Sequence, residues 1–267
     1  DRRLHFRQGT ITNYRTLSSL AERVDSVIHL AAVVSPVVSL LRPDLTNYVN
    51  VSGTLNVLRA ALKHKVKRVV FGSSSSVYGN TTNIPVPETA PLEPISPYGV
   101  SKLAGEQYCM AFHRSLGLDT VSLRYFNVYG ERQSSNPYSG VIAIFAGQLL
   151  RGKRPTIYGD GNQTRDFIHV SDVSRANMLA LESKQLAGET FNIGTGKATT
   201  VNELFRTLAS AMGKPNAAAT FAEPRRGDIQ RSCSDASKAR AALGFEPRIA
   251  LRDGLGLLLT SLKRPAF

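Results

Sequence analysis

The sequence predicts an α/β fold, a doubly wound parallel sheet followed by a smaller mixed α/β lobe. Three apolar runs carry the prediction: residues 25–32, 69–76 and 118–125 are rich in β-branched side chains, and each ends in small or polar ones. Segments of helical period lie between them. The chain of 267 residues, 42% hydrophobic and 20% charged, is long and apolar enough to bury a full core.

Residues 1–9 read as the approach to a strand end followed by a helix, and residues 1–5 carry no apolar stretch of the kind a secretory signal needs. The run 25–32 is a buried parallel strand closing on Leu30, Ala31 and Ala32. Small residues there either let a flat ligand pass beside the backbone or merely open a loop. His29 reads as a core histidine rather than a ligand. From Asp44 the positions Leu45, Tyr48, Val51, Leu55, Leu58 and Leu62 recur at helical spacing over about five turns. The second run delivers four serines, Ser73 to Ser76, where the strand stops. Ser96 is an N-cap with Pro97 at the first helical position, and the helix they open closes at Gly117, suited to a left-handed cap. The third run ends at Tyr125, Phe126 and Asn127.

From residue 128 the texture changes to shorter elements punctuated by Gly and Pro. Residues 158–162 read as a hairpin tip, and residues 189–194 as a strand returning to the main sheet. Thr200 and Glu203 form a capping box for a helix that stops at Gly213, and a short helix spans 235–243 before Gly244. The expected division is a sheet domain of residues 1–127 plus about 189–194, and a second lobe made mainly of 128–267.

Ligands of doubly wound sheets lie at the carboxyl ends of the strands. All three runs end there with small or polar residues, and Tyr98 and Lys102 stand four apart on one face of the helix after the second. A neighbouring ammonium favours a phenolate and lowers a tyrosine pKa toward the range of a usable base. Ser74, at the strand end, is placed to orient the same substrate hydroxyl.

Thirty-three Lys and Arg against 20 Asp and Glu give a net charge of +13, which suits an anionic small molecule such as a sugar nucleotide. The basic residues are scattered. The densest run, 63–68, falls at a helix C-terminus, where cations suit the dipole and face solvent, so no nucleic acid partner is expected. No apolar run approaches membrane-spanning length, so no membrane partner is expected either. Cys109 and Cys233 lack a metal-type spacing, which predicts no metal, reduced thiols and a cytoplasmic location.

Taken in order, residues 25–32, 50–54 (NVSGT), 73–79 (SSSSVYG), 98–102 (YGVSK), 124–127 (RYFN), 158–170 with Arg165 and Asp166 inside, and 225–228 (RRGD) carry a resemblance. The chain resembles the extended short-chain dehydrogenases/reductases, within their nucleotide-sugar epimerase and dehydratase group, over nearly its whole length. The resemblance implies a Rossmann domain that binds NAD and a lobe that binds the sugar nucleotide. It implies Tyr98 as the catalytic base, Lys102 as the residue that binds the nicotinamide ribose and tunes that base, and Ser74, three residues before Val77, as the catalytic hydroxyl. Leu30, Ala31, Ala32, Asn50 and Tyr125 are the other implied cofactor contacts. Ser74, Ser75, Asn127, Arg165, Arg225, Asp228 and Ser232 are the implied substrate contacts, the arginines through charge-assisted hydrogen bonds. No G-x-x-G-x-x-G turn occurs in the sequence. The family's dinucleotide fingerprint and ribose-binding acid would precede residue 1, so the expected sheet lacks its first βαβ unit. Thr10 stands where relatives commonly carry an Asp near the adenine.

The group shares oxidation at C4 of the hexose and then diverges. Dehydratases and decarboxylases place an acid just after the catalytic hydroxyl, whereas Ser75 and Ser76 stand there in this chain. A serine cannot supply that proton traffic. The expected reaction is NAD-dependent 4-epimerisation of a UDP-hexose through a 4-keto intermediate. A UDP-uronate 4-epimerase shares the serine loop and is a second reading; a truncated chain that binds sugar nucleotide without turnover is a third. Relatives pair two long helices across a dimer, which implies a homodimer built on residues 45–63 and 98–116. Ser232, four residues after Asp228, resembles the family's gate beside the sugar C2 substituent, and its small side chain implies acceptance of N-acetyl sugars.

Overall fold

The computed structural model describes residues 4–133, 140–184, 186–225 and 228–262. At its centre is a four-stranded, all-parallel sheet in the order Ser26–His29, Arg68–Ser74, Thr120–Tyr125, Thr190–Ile193. The three apolar runs and the returning segment are these four strands. Parallel neighbours need a crossover, and helices supply it on both faces. On one face Val69 and Phe71 pack with Leu58 and Ala61 of the Gly53–Lys63 helix and with Cys109 of the Pro97–Leu116 helix. On the other, Val70, Val121 and Leu123 pack with Val173, Ala176 and Ala180 of the Val170–Glu182 helix and with Leu243 of Ser237–Leu243. A strand covered on both sides has no solvent face, which is why these runs are apolar throughout rather than alternating.

The Pro97–Leu116 helix forms as its ends dictate. The Ser96 hydroxyl accepts the Gly99 N–H at 3.1 Å, and Gly117 closes the helix at φ 72°. His29 is a satisfied core residue, its Nε2 2.9 Å from the Thr54 hydroxyl, and burial pushes its pKa down to about 3, with Lys102 adding to the effect. The predicted helix over 44–62 is instead Pro43–Asn47, a wide turn of i→i+5 bonding over Tyr48–Ser52, and Gly53–Lys63. The wider turn takes up an extra residue and aims Asn50 inward.

Two local expectations are corrected. Residues 158–162 do turn, with Gly159 and Gly161 at φ 75° and 78°, but their flanks do not pair with each other. Thr156–Tyr158 runs parallel to Thr220–Ala222, and Thr164–Arg165 runs antiparallel to Thr199–Thr200. The basic run 63–68 does not face solvent throughout. Arg68 is 6% exposed, because it already belongs to the second strand. Its guanidinium grips both oxygens of Asp119 at 3.0 and 2.7 Å and reaches the carbonyls of Ala180 and Ser183 at the end of the Val170–Glu182 helix.

The second lobe has its own core, where Phe145 of Val141–Leu150, Leu204 and Leu208 of Val201–Ala211 and Leu258 of Leu251–Leu262 meet Tyr129 and Ile157. Thr200 caps its helix by accepting the Glu203 N–H at 3.0 Å. Asp166, fully buried, ties this lobe to the sheet. One of its oxygens accepts Thr195 N–H at 2.8 Å and the Thr195 hydroxyl, and the other accepts Gly196 N–H and Ser234 N–H at 3.0 Å and the Ser234 hydroxyl at 2.6 Å. Among the described residues no helix is long and apolar enough to cross a membrane.

Candidate active site

The site is built where the second strand stops and the Pro97–Leu116 helix starts. Their contact depends on Gly99, because a Cβ there would lie 2.6 Å from the Ser76 carbonyl oxygen. Only glycine lets the first helical turn settle on the serine loop, and that seating brings Tyr98 to Ser74. The two adjacent strand-end serines turn opposite ways. Ser73 donates to Glu106 Oε1 at 2.5 Å, while the Ser74 hydroxyl accepts the Ser76 N–H at 3.2 Å, donates to Ser76 Oγ at 3.1 Å and stands near enough to the Tyr98 phenol to favour its ionised form.

Lys102 is 4% exposed and donates to the Gly72 carbonyl at 2.7 Å, its ammonium 5.1 Å from the Phe71 ring centroid and 5.9 Å from that of Tyr98. Burial lowers its pKa to about 8, against the pull of Cys109 and Glu106. The expected lowering of the Tyr98 pKa is not found. Burial raises it, and the Ser74 hydrogen bond offsets part of that rise. The physical reason is depth. A phenol taken out of water loses more than a cation directed at a neighbouring carbonyl returns.

Leu30 and Tyr125 flank Gly72, where a Cβ would come within 2.9 Å of each side chain. The Tyr125 hydroxyl is held by Asn177 Oδ1 at 2.8 Å, and Leu30 is 53% exposed beside the exposed Ala31 and the half-buried Ala32. Asn50 differs from the expectation. Its Oδ1 accepts Val33 N–H at 2.7 Å, and its Nδ2 donates to Val33 O at 3.0 Å and Ser101 Oγ at 2.9 Å, so it braces the turn after the first strand with both amide protons committed. The group fits a dinucleotide. Lys102 carries three N–H donors, of which the Gly72 carbonyl takes one, and it lies at the same strand end as the exposed Leu30, which suits the nicotinamide ribose diol under a flat ring.

Ser75, Tyr78, Thr81, Arg231 and Ser232 line one pocket, with Ser232 itself 6% exposed. Asn127 lines another with Gly140 and Val141 at the start of the Val141–Leu150 helix. Arg165 and Asp228 satisfy each other as an ion pair; burial lowers the arginine's pKa and Asp228 opposes the change. Arg225 is exposed and lies over the Tyr158 ring at 3.8 Å. Arg226 and Gly227 of the same motif lie outside the described residues. The structure thus brings Tyr98, Ser74 and Lys102 together and Ser75 with Ser232, while Arg165 is engaged by Asp228 and Arg225 stands on Tyr158.

Sequence reasoning missed Glu106 and gave no role to Arg124 of the 124–127 motif; the two form a buried two-pronged pair, Nε to Oε1 at 2.9 Å and the second nitrogen to Oε2 at 2.8 Å. A signal was present. Tyr98, Lys102 and Glu106 recur every four residues on one helix face.

Residues 1–194 match the NAD-dependent epimerase/dehydratase family. The UDP-glucose 4-epimerase of Mycolicibacterium smegmatis is 38% identical over 255 residues, which are 95% of this chain and 81% of that protein. Among solved structures, the UDP-glucose 4-epimerase of Thermotoga maritima with UDP-glucose has a TM-score of 0.94 at 38% identity, covering 98% of this chain and 85% of the other. The UDP-N-acetylglucosamine 4-epimerase of Methanobrevibacter ruminantium, in complex with UDP-N-acetylmuramic acid, has a TM-score of 0.88 at 37% identity, over 92% and 79% of the two chains.

Proposed function

The chain belongs to the NAD-dependent epimerase/dehydratase family, and from that premise we propose that it interconverts UDP-hexoses at C4, UDP-glucose with UDP-galactose, through a 4-keto sugar. The observation that carries this choice is Ser75 and Ser76 after the strand-end Ser74, where an elimination would need an acid. Leu30, Ala31, Ala32, Tyr125 and Lys102 would hold NAD, which would supply a reversible hydride acceptor beside the sugar carbon. Tyr98 takes the proton of the C4 hydroxyl at its phenolic oxygen and gives it back. Ser74 hydrogen-bonds the same sugar oxygen. The phenolate this needs is favoured by the Lys102 cation and opposed by burial. The test is nuclear magnetic resonance of UDP-glucose incubated with the protein and NAD. UDP-galactose should accumulate to equilibrium; a dehydrated 4-keto-6-deoxy product instead would overturn the reading.

Substrate breadth rests on Ser232. A small residue against Ser75 and Tyr78 adds little bulk to this wall of the pocket, whereas a phenol there would overpack it at about 1–3 kcal/mol. Ser232→Tyr is expected to lower turnover of UDP-N-acetylglucosamine about 5- to 160-fold relative to UDP-glucose. An unchanged ratio between the two sugars sinks the gate. Arg231 lines the same pocket and keeps a UDP-uronate as the second reading, favoured if a substrate carboxylate proves preferred.

The protein acts as a homodimer through a second copy of the Pro97–Leu116 helix and its neighbours. Val100 and Tyr108 stand outward on that helix at 54% and 37% exposure, beside Tyr48 at 56% and Leu41 at 68%, an apolar stripe of the kind that helix pairs bury. Light scattering at micromolar concentration should give twice the chain mass; a monomer there removes the dimer. Two buried, unpaired thiols suit the cytoplasm.

A further inference from the structure

We propose that the buried Glu106–Arg124 pair is a positioning device that sets the strand end carrying Ser74 and the wall of the sugar pocket carrying Ser232 in one register. The inference rests on the epimerase reading above and names residues that serve the reaction without touching substrate. Glu106 and Arg124 are 3% and 4% exposed. A buried ion pair is a poor way to gain stability, since apolar residues of like volume do as well, but its two-pronged geometry fixes direction as no apolar contact does.

The bonds lead to two places. Toward the catalytic end, Glu106 Oε1 accepts the hydroxyl of Ser73, the residue before Ser74, at 2.5 Å. Toward the pocket, the remaining Arg124 nitrogen donates to the Tyr78 hydroxyl at 2.8 Å and the Glu88 carbonyl at 3.1 Å. The Tyr78 hydroxyl donates to Asn192 Oδ1 at 2.7 Å. Asn192 Nδ2 in turn donates to the carbonyls of Val86 at 2.8 Å and Asp235 at 3.1 Å, and Val86 N–H reaches the carbonyl of Cys233, next to Ser232, at 2.8 Å. Tyr78 itself lines the pocket with Ser75 and Ser232. Burial pushes its pKa up to about 12, so its proton stays and the direction of each bond is set. A single hydrogen-bonded path therefore joins the residue before the catalytic serine to the residue after the gate.

Ser73→Ala and Tyr78→Phe each remove one hydroxyl from this path and leave the packing and the ion pair in place. Both are made in the full chain, assayed on UDP-glucose with NAD, and examined without ligand by hydrogen–deuterium exchange. Ser73→Ala is expected to lower kcat about tenfold with KM within twofold, the worth of one hydrogen bond. Exchange should quicken over residues 73–79 and stay unchanged elsewhere. Tyr78→Phe should quicken exchange over 73–79 and over 230–236 together. Unchanged exchange at 73–79, a uniform rise across the chain, or a loss confined to KM overturns the proposal. If the wild-type protein does not interconvert UDP-glucose and UDP-galactose, the epimerase reading fails on that assay, and the exchange pattern still decides the positioning path.

Discussion

Tyr98→Phe is expected to reduce epimerisation by about a thousandfold, the scale on which a positioned proton acceptor acts. Phenylalanine keeps the ring, which is 8% exposed in the first turn of its helix, and removes only the hydroxyl that meets Ser74. Binding of UDP, measured by calorimetry, should change less than threefold, because nothing that holds the nucleotide is touched. Lys102→Ala should differ in kind. It takes away the donor set beside Gly72 as well as the cation, so turnover and retention of NAD, read by absorbance, should fall together. Activity of Tyr98→Phe within tenfold of wild type would place the base elsewhere.

The second large effect is on stability. Asp166→Ala deletes the acceptor of three backbone N–H groups, those of Thr195, Gly196 and Ser234, all at 2.8 to 3.0 Å. Ser234 is buried, Thr195 half-buried and Gly196 exposed with the Ser234 hydroxyl as a second acceptor at 3.2 Å, so at about 1–3 kcal/mol for a donor left unmet out of water a loss of roughly 2–4 kcal/mol is expected. Thermal unfolding should move down by on the order of 10 °C. The two attached segments, the loop after Thr190–Ile193 and the stretch leading to the Ser237–Leu243 helix, should loosen first. A shift under about 2 °C would mean that water replaces the carboxylate at no cost.

The sheet was legible because a strand buried on both faces announces itself as a short apolar run, and the clustering of Ser74, Tyr98 and Lys102 because they lie on one strand-to-helix unit. Ser74, Tyr98 and Lys102 fall within thirty residues, and Ser96, Pro97 and Gly117 mark the helix by local chemistry alone. What escaped was non-local. Arg68 pairs with Asp119 across 51 residues and with Ala180 across 112, so nothing near it in sequence says that it is buried. The chain turns at Gly159 and Gly161 as read, but the choice of partner strands is made by residues 199–200 and 220–222. The Leu251–Leu262 helix was hidden by its glycines. Gly254 is there because a Cβ would lie 2.2 Å from the Tyr129 hydroxyl, a reason only the packed lobe reveals. The Tyr98 pKa was misread for a related cause, since burial depth is not written in the spacing of a tyrosine and a lysine.

Lys102 holds its proton against the fold's preference. The unfolded chain keeps the ordinary lysine value of 10.5 and the folded one about 8, so between these two the unfolded state binds more protons and stability rises with pH. Below about pH 8 the whole penalty is present, on the order of 3 kcal/mol. The ammonium beside Tyr98 is thus a standing load on the native state at neutral pH, carried by the rest of the core. An apolar residue at this position would lift the load, so the native state would be more stable at neutral pH with this buried cation removed.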